Sequence, residues 1–483
     1  MVINYFGYRD DPRLQSPSYP SHCLHFLRLL GKSQSDTKKS AWSKLNVHIV
    51  GAGTAGLTTA IALARQNHTV TIHEQAQELS EDDAGIQIPP NAARLLLKMG
   101  LGPYLEKYVT EQENVFLRRW QTGKVIGRTK IGYDFRSKFD APYWVIHRVH
   151  FHKAMQDMAS ALGVKIEMAS KVVSYDTAAP TLTLGDGSVI QADLIVAADG
   201  VNSLARANVP RALESTPHIT GFATYRAEID IDKMKEDPEL AELVDRSSMN
   251  LWLGDNRHVQ TYKIDSGKTF HMVMSYPDDS AGMEDSKADP LTALLHMRQE
   301  FTGWDPLLTK IINMVQHTKK CPIYSGSRLK RWVSGKFLVL GDVAHTILPY
   351  MGQGEQFRHF HSFDYADSSI KGPAMAIEDA AALAHSLGRI TSKTQIPLAL
   401  SVFEKVRIER ANQMQEASLL NGKIWHFPDG PLQKARDVAM MPEVKGQPFS
   451  HSPNQWSDPT TQMWCYGYNT EKEIDLEWSR YRV

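Results

Sequence analysis

Long apolar runs are missing from this chain. No stretch of about 18 consecutive apolar residues occurs, which excludes a membrane-spanning helix of ordinary length. Cysteine is scarce as well. Cys23, Cys321 and Cys465 lie far apart and form no CxxC pair, so neither a zinc site nor a disulfide framework is indicated, and a reducing compartment fits. Nor is there an excess of charge. Fifty-four basic residues balance 54 acidic ones, which argues against a nucleic-acid binder and against a polybasic membrane-surface protein. No acidic cluster accompanies the histidine pair His359 and His361, so no metal is expected. Methionine is absent between Met1 and Met99, so a downstream start cannot trim the atypical residues 1–44. These carry Pro12, Pro17 and Pro20, lack the long apolar core of a secretory signal, and hold Asp10 and Asp11, unlike a mitochondrial presequence. They read as a disordered extension, with a wrongly joined first exon as the alternative. A cytoplasmic protein is expected.

What remains has ordinary globular composition, 42% hydrophobic and 22% charged over 483 residues, enough for one large α/β body or two packed domains. Its most informative stretch is Asn46-Val-His-Ile-Val-Gly51-Ala-Gly53-Thr-Ala-Gly56-Leu57, an apolar strand running into a glycine turn that opens a helix. Gly51 suits the tight turn, Gly53 the approach of backbone to a pyrophosphate, and Gly56 close packing of helix on strand. The pyrophosphate would rest on the free N–H groups of the helix start. A second strand, Thr69 to His73, ends at Glu74, where a ribose-binding acid is expected. This pattern predicts dinucleotide binding and does not separate FAD from NAD.

Further along, a strand is expected to end at Trp144-Val-Ile-His-Arg148, with a helix from His150 to Leu162. A hairpin turns at Gly185-Asp-Gly187, and Asp193 to Ala198 is a buried strand closing on Asp199-Gly200. Between about Pro217 and Asp278 the pattern becomes long period-two strands, which predicts an antiparallel sheet with one face covered. The chain then returns through Lys336-Phe-Leu-Val-Leu-Gly341-Asp342 and a helix from Ala374 to Leu387.

Three signatures therefore stand in order: Gly51-x-Gly53-x-x-Gly56; Asp199-Gly200 within Ala197-Ala-Asp-Gly-Val-Asn-Ser203-Leu-Ala-Arg206; and Gly341-Asp342-Val-Ala-His345. Their order resembles the single-component FAD-dependent aromatic hydroxylases, the class A flavoprotein monooxygenases, above all the salicylate-hydroxylase-like and fungal secondary-metabolite enzymes. The resemblance spans about Leu45 to Trp478. It implies an α/β, Rossmann-like FAD-binding fold of the aromatic hydroxylase type with an inserted antiparallel-sheet substrate domain. The expected division is 45–216 and 331–425 for FAD, 217–330 (mainly 217–278) for substrate, and 426–483 as a C-terminal segment. There the stretch Trp464 to Trp478 reads as packing or as a homodimer contact.

By the same resemblance, Glu74 would hold the adenosine ribose, Ala84-Gly85 would approach the flavin, Arg148 would contact FAD, and Asp342 would hold a ribityl hydroxyl. Asp199 belongs to a motif serving both FAD and the nicotinamide donor. Asp83 stands where a small residue is usual. No second GxGxxG appears, which fits transient binding of NADH or NADPH and not a Baeyer–Villiger enzyme. No Trp-x-Trp-x-x-Ile segment marks a flavin halogenase. The implied reaction is hydroxylation of an aromatic or phenolic small molecule with O2, through a flavin C4a-hydroperoxide, in secondary metabolism. Epoxidation of an isoprenoid or indole alkene is the alternative. On the sheet, Tyr225, Arg226, His258 and Tyr262 are offered. By analogy with fungal phenol hydroxylases, Arg226 would pair with a phenolate oxygen and Tyr262 would position it or relay its proton.

The third signature departs from the family after Gly352-Gln-Gly354. In the family this turn runs directly into a helix whose start faces the flavin; here Glu355 to Gly372 intervene before Pro373-Ala-Met-Ala-Ile-Glu378-Asp379. Removing those 18 codons restores the family pattern in frame, and both junctions can encode GT and AG splice sites, so a retained intron is expected. A surface loop or a lid is the competing reading. If the insert disables the flavin loop, the chain as written is an inactive flavoprotein.

Overall fold

The apolar strand at the start of the nucleotide motif is β1 (Asn46–Val50), and four of its five residues are buried, as a strand covered on both faces must be. It is flanked by β2 (Thr69–His73) and β8 (Lys165–Glu167) on one side, and by β12 (Leu194–Ala197) and β19 (Phe337–Val339) on the other. These five run parallel, and the short β18 (Val333–Ser334) pairs antiparallel at the edge. The protein is described by a computed structural model covering residues 43–79, 84–210, 218–278, 290–326, 328–352 and 373–481. Asp83, Gly354 and the segment Glu355 to Gly372 lie outside the described residues, as do residues 1–42.

Helix α1 (Thr54–Ala64) starts directly after the glycine turn and is buried over its first ten residues. Helix α2 (Pro90–Lys98) follows β3 (Gly85–Ile88), an edge strand of a small sheet completed by β7 (Trp144–His147) and β4 (Thr110–Glu111). Helix α3 (Arg148–Ala161) begins two residues before the expected start, because His147 caps it by accepting from the Val149 N–H. The predicted hairpin is present as β10 (Thr181–Leu184) and β11 (Val189–Gln191), extended by β9 (Val172–Asp176).

The second large sheet has seven strands in the order β17 (Lys319–Ser325), β13 (His218–Asp230), β16 (Thr269–Pro277), β15 (Arg257–Ile264), β14 (Ser248–Gly254), β5 (Asn114–Arg119) and β6 (Val125–Lys130). All pairs are antiparallel except β14 with β5. Five strands thus come from 218–325 and two from 114–130, so chain continuity does not mark the edge of this sheet. Helices α4 (Pro290–Glu300) and α5 (Pro306–Met314) close over its outer face, forming a core with Tyr225, Ile229, Phe270, Met272 and Met274. The inner face joins the core of the nucleotide fold through Leu251, Tyr262, Val273 and Ile323. Helix α6 (Pro373–Leu387) packs on α1, and α7 (Ile396–Trp425) packs on α6.

Candidate active site

The first cluster of predicted residues assembles around the start of α1. Gly51 adopts φ +98°, and a Cβ there would lie 2.6 Å from the Ala198 carbonyl oxygen and 3.0 Å from the Asp199 Cα, so only glycine allows this crossing. A Cβ on Gly56 would lie 1.9 Å from the Gly51 carbonyl oxygen, which is the close packing of helix on turn that the motif requires. Gly53 is the N-cap residue of α1, with no side chain capping the helix and no acid in its first turn. The first amide groups are therefore left for an outside acceptor, the environment a pyrophosphate fits. Glu74 is buried, and its two carboxylate oxygens accept from the Ala52 N–H (2.7 Å) and the Ala76 N–H (3.0 Å). Each oxygen keeps a second lone pair, so the carboxylate is oriented and can still accept from a ribose hydroxyl. The residues present thus fit a dinucleotide cofactor.

Asp199 and Asp342 approach the same site from two other loops. The Asp199 carboxylate accepts from the Ser203 hydroxyl at 2.6 Å. The turn Gly341–Val343 packs against α1, where a Cβ on Gly341 would lie 2.8 Å from the Ala55 Cβ. Arg206 lies between the two acids and donates to the Asp342 carbonyl oxygen at 3.1 Å. Burial pulls its guanidinium below the ordinary range, and the Asp342 and Asp199 carboxylates oppose that shift. His152 also belongs here, with Nε2 2.8 Å from the Ala52 carbonyl oxygen of the glycine turn. Neither Arg206 nor His152 was singled out as a site residue from the sequence, although Arg206 stands inside the second signature.

The second cluster lies where β3 meets the inner face of the seven-stranded sheet. The Tyr262 hydroxyl donates to the Gly85 carbonyl oxygen at 2.9 Å, and the Gly85 N–H lies 3.4 Å from His271 Nε2. A Cβ on Gly85 would lie 2.7 Å from the Tyr262 ring and 2.9 Å from the His271 ring. Since His271 Nε2 accepts, its Nδ1 carries the proton and donates to Glu228 at 3.2 Å. Burial holds the His271 pKa down, against the pull of Glu228. Burial would raise the Glu228 pKa, but the hydrogen bond from His271 and the neighbouring charges leave it lowered. Arg148, buried at the start of α3, donates its backbone N–H to the Ala84 carbonyl oxygen, next to Gly85.

Strand register decides which sheet residues share this wall. Arg226 pairs across β16 with Val273, which pairs with Gln260; Glu228 pairs with His271, which pairs with Tyr262. Arg226, Glu228, His258, Gln260, Tyr262 and His271 therefore occupy one face. Tyr225 does not. It turns to the outer face, where its ring stacks on Tyr276 and its hydroxyl lies 2.8 Å from His296 Nδ1. This corrects the sequence expectation, because adjacent residues on a strand cannot face the same side. His258 is buried with Nδ1 2.9 Å from His426 Nε2, among the rings of Tyr350 and Trp425.

Helices α6 and α7 fix the loop after Asp342. Arg407 binds Asp379 (2.8 Å) and Glu378 (2.6 Å); Arg410 binds Glu378 and the carbonyl oxygens of Trp464 and Cys465. Asp379 in turn accepts from the Gly341 N–H and lies 2.6 Å from His345 Nε2. Asn91 of α2 donates to Glu378. Along α7, Gln415, Ser418 and Asn421 donate to the carbonyl oxygens of Thr346, Leu348 and Tyr350, so polar residues three apart on the helix serve alternate carbonyls of the loop. Neither set was foreseen. The signal was present as polar residues spaced by three within a largely buried helix. Pro373 begins α6 at the far side of the insert. The aromatic C-terminal stretch packs within its own chain: Cys465, Tyr466 and Trp478 are buried, and the Trp478 Nε1–H donates to Ser386.

Comparison with known proteins agrees with this geometry. A family model described as an FAD binding domain matches residues 44–355. The FAD-dependent monooxygenase OpS4 of Beauveria bassiana is 34% identical over 88% of this chain and 95% of its own length. The 3-hydroxybenzoate 6-hydroxylase 1 of Aquipseudomonas alcaligenes is 29% identical over 88% of this chain and 98% of its own. A salicylate hydroxylase solved in complex with substrate shares the fold, with a TM-score of 0.68 at 22% identity, covering 90% of this chain and 98% of that one. The chain belongs to the FAD-binding class A monooxygenases and is an FAD-dependent monooxygenase.

Proposed function

We propose that this enzyme hydroxylates an aromatic ring bearing a phenolic oxygen, using O2 and either NADH or NADPH as transient donor, in secondary metabolism. The observation that carries the reading is the inner face of the seven-stranded sheet, where Arg226, Tyr262 and a hydrogen-bonded set of histidines and Glu228 meet the Gly85 strand. Bound FAD supplies the oxidant, and the chain supplies position, electrostatics and exclusion of water. Gly51, Gly53 and Gly56 shape the turn and helix start that would hold the pyrophosphate, and Glu74 would accept from the ribose. Arg148, Asp199, Asp342 and Pro373 would hold the rest of the cofactor; Gly354, expected there from the sequence, lies outside the described residues. Tyr262, held by its hydrogen bond to the Gly85 carbonyl, would position the ring beside Arg226. Arg226 favours the ionised, electron-rich form of the ring by its positive charge. A relative acting, by its name, on 3-hydroxybenzoate supports a hydroxylated arene as substrate.

The test is visible absorption and NAD(P)H oxidation of the purified chain, beside a version lacking Glu355 to Gly372, across a panel of phenols and hydroxybenzoates. Phenol-dependent oxidation with an oxygenated aromatic product supports the reading. Flavin-loaded protein that leaves every phenol unchanged but epoxidises an indole or isoprenoid alkene overturns it. If only the shortened version holds flavin, the retained-intron reading stands and the chain as written is inactive.

A further inference from the structure

Gln260 is a polar side chain on the inner face with no task in the account above. It lies on β15 between His258 and Tyr262, and alternation along the strand points all three to the same side. Its neighbours on that side already have partners: His258 meets His426 and Tyr262 donates to Gly85. Across the strands, Gln260 pairs with Leu251 on β14 and Val273 on β16, both buried and apolar. Gln260 itself is 7% exposed, and its Nε2 finds no hydrogen-bond partner among the described residues. A buried amide donor left unpaired destabilises the fold, and an apolar side chain of similar shape would suit these neighbours better. The position makes physical sense if a molecule from outside the chain supplies the acceptor. Arg226 lies in the same row, two strand spacings or roughly 10 Å away, so one substituted ring can be addressed by both residues.

We propose that Gln260 binds substrate directly, donating from its side-chain amide to an oxygen substituent of the ring (a carbonyl, carboxylate or phenolate oxygen). The proposal rests on the reading of the inner face as the substrate wall. An uncharged donor at this place sets the orientation of the ring, whereas the charge of Arg226 acts on its ionisation. Gln260 therefore selects for arenes that carry a second oxygen acceptor in addition to the one addressed by Arg226.

The test uses FAD-loaded protein with Gln260→Met, which keeps the shape and removes the amide, and Gln260→Glu, which puts an acceptor where the donor was. Probes are phenol, resorcinol, salicylate and 3-hydroxybenzoate. Gln260→Met should melt no lower than wild type and bind FAD within about twofold, since it removes an unpaired buried donor. For the probes with a second oxygen, KM should rise about tenfold with kcat changed far less, a larger rise than for phenol. Gln260→Glu should be worst for the two carboxylated probes. A Gln260→Met protein that melts several degrees lower shows the amide bonded within the protein and overturns the proposal. Weakened FAD binding assigns the amide to the flavin and overturns it too, as does unchanged discrimination among the probes. If wild type holds flavin but turns over none of the probes, the substrate reading above fails separately, and the melting point of Gln260→Met still decides whether the amide is idle without ligand.

Discussion

The two faces of the seven-stranded sheet are cut from the same strands and do opposite things. On β13, Ala223, Tyr225, Ala227 and Ile229 turn outward into a core shared with Phe270, Met272, Met274 and the covering helices. Thr224, Arg226 and Glu228 turn inward and meet His258, Gln260, Tyr262 and His271. Both faces are largely buried, so burial does not distinguish a core from a site. The difference is in the polar atoms. The outer face removes apolar area from water, which stabilises the fold in proportion to that area. The inner face takes polar and charged groups out of water, and each is costly to bury unless it finds a partner. Most do, in the linked set Gly85, Tyr262, His271, Glu228, and Gln260 is an exception.

Acid should separate the faces most strongly. At the outer face His296, beside Tyr225, is exposed, whereas His258, His271 and His426 are buried at the inner face with pKa lowered by burial. His68 and His73 in the nucleotide fold are pushed down to about 4 in the same way. The unfolded chain takes up these protons near pH 6.5 and the folded chain does not, so it binds more protons between the two values. Stability should be full above pH 6.5 and fall as pH drops toward 4. A urea midpoint that stays flat from pH 7 to pH 5 would contradict the assignment of these histidines as buried and neutral. Next in size, Phe270→Ala on the outer face should cost about 3–5 kcal/mol in urea unfolding. It should leave KM and flavin content of the folded fraction unchanged; a shift in KM would mean that the faces are not independent. Gly85→Ala on the inner side should cost about 1–3 kcal/mol by overpacking against Tyr262 and His271. It should also weaken flavin binding in a titration, whereas normal affinity would remove Gly85 from the cofactor's surroundings. Tyr262→Phe should be mildest for the fold, about 1 kcal/mol, because one buried carbonyl loses its donor. Its effect should appear instead in turnover of phenols, lowered at least about tenfold; full activity would make Tyr262 a packing residue.

The nucleotide turn was legible because its parts are neighbours in the chain. Strand, Gly51, Gly53, Gly56, second strand and Glu74 follow one another, and their geometry depends on backbone conformation and close approach. The long strands were legible too, since period-two alternation is a local property. Which parity faces which side was not, and Tyr225 and Arg226 were offered together although they point apart. The β14–β5 pairing was equally hidden, because it joins Ser248 to Asn114 across most of the nucleotide fold. Helix α7 went unread, and with it the Arg407 and Arg410 network and the row Gln415, Ser418, Asn421, whose partners lie on other segments.

By itself, then, the sequence determined the dinucleotide fold, the family and the presence of a second sheet, because each is written in short-range spacing of glycine, acid and apolar residues. The tertiary structure alone decided which side chains share the inner wall, which polar groups there are already satisfied, and how α6 and α7 hold the loop after Asp342. Those outcomes depend on register and on packing between segments far apart in the chain, and a hydrogen bond such as Tyr262 to Gly85 exists only once both strands are in place.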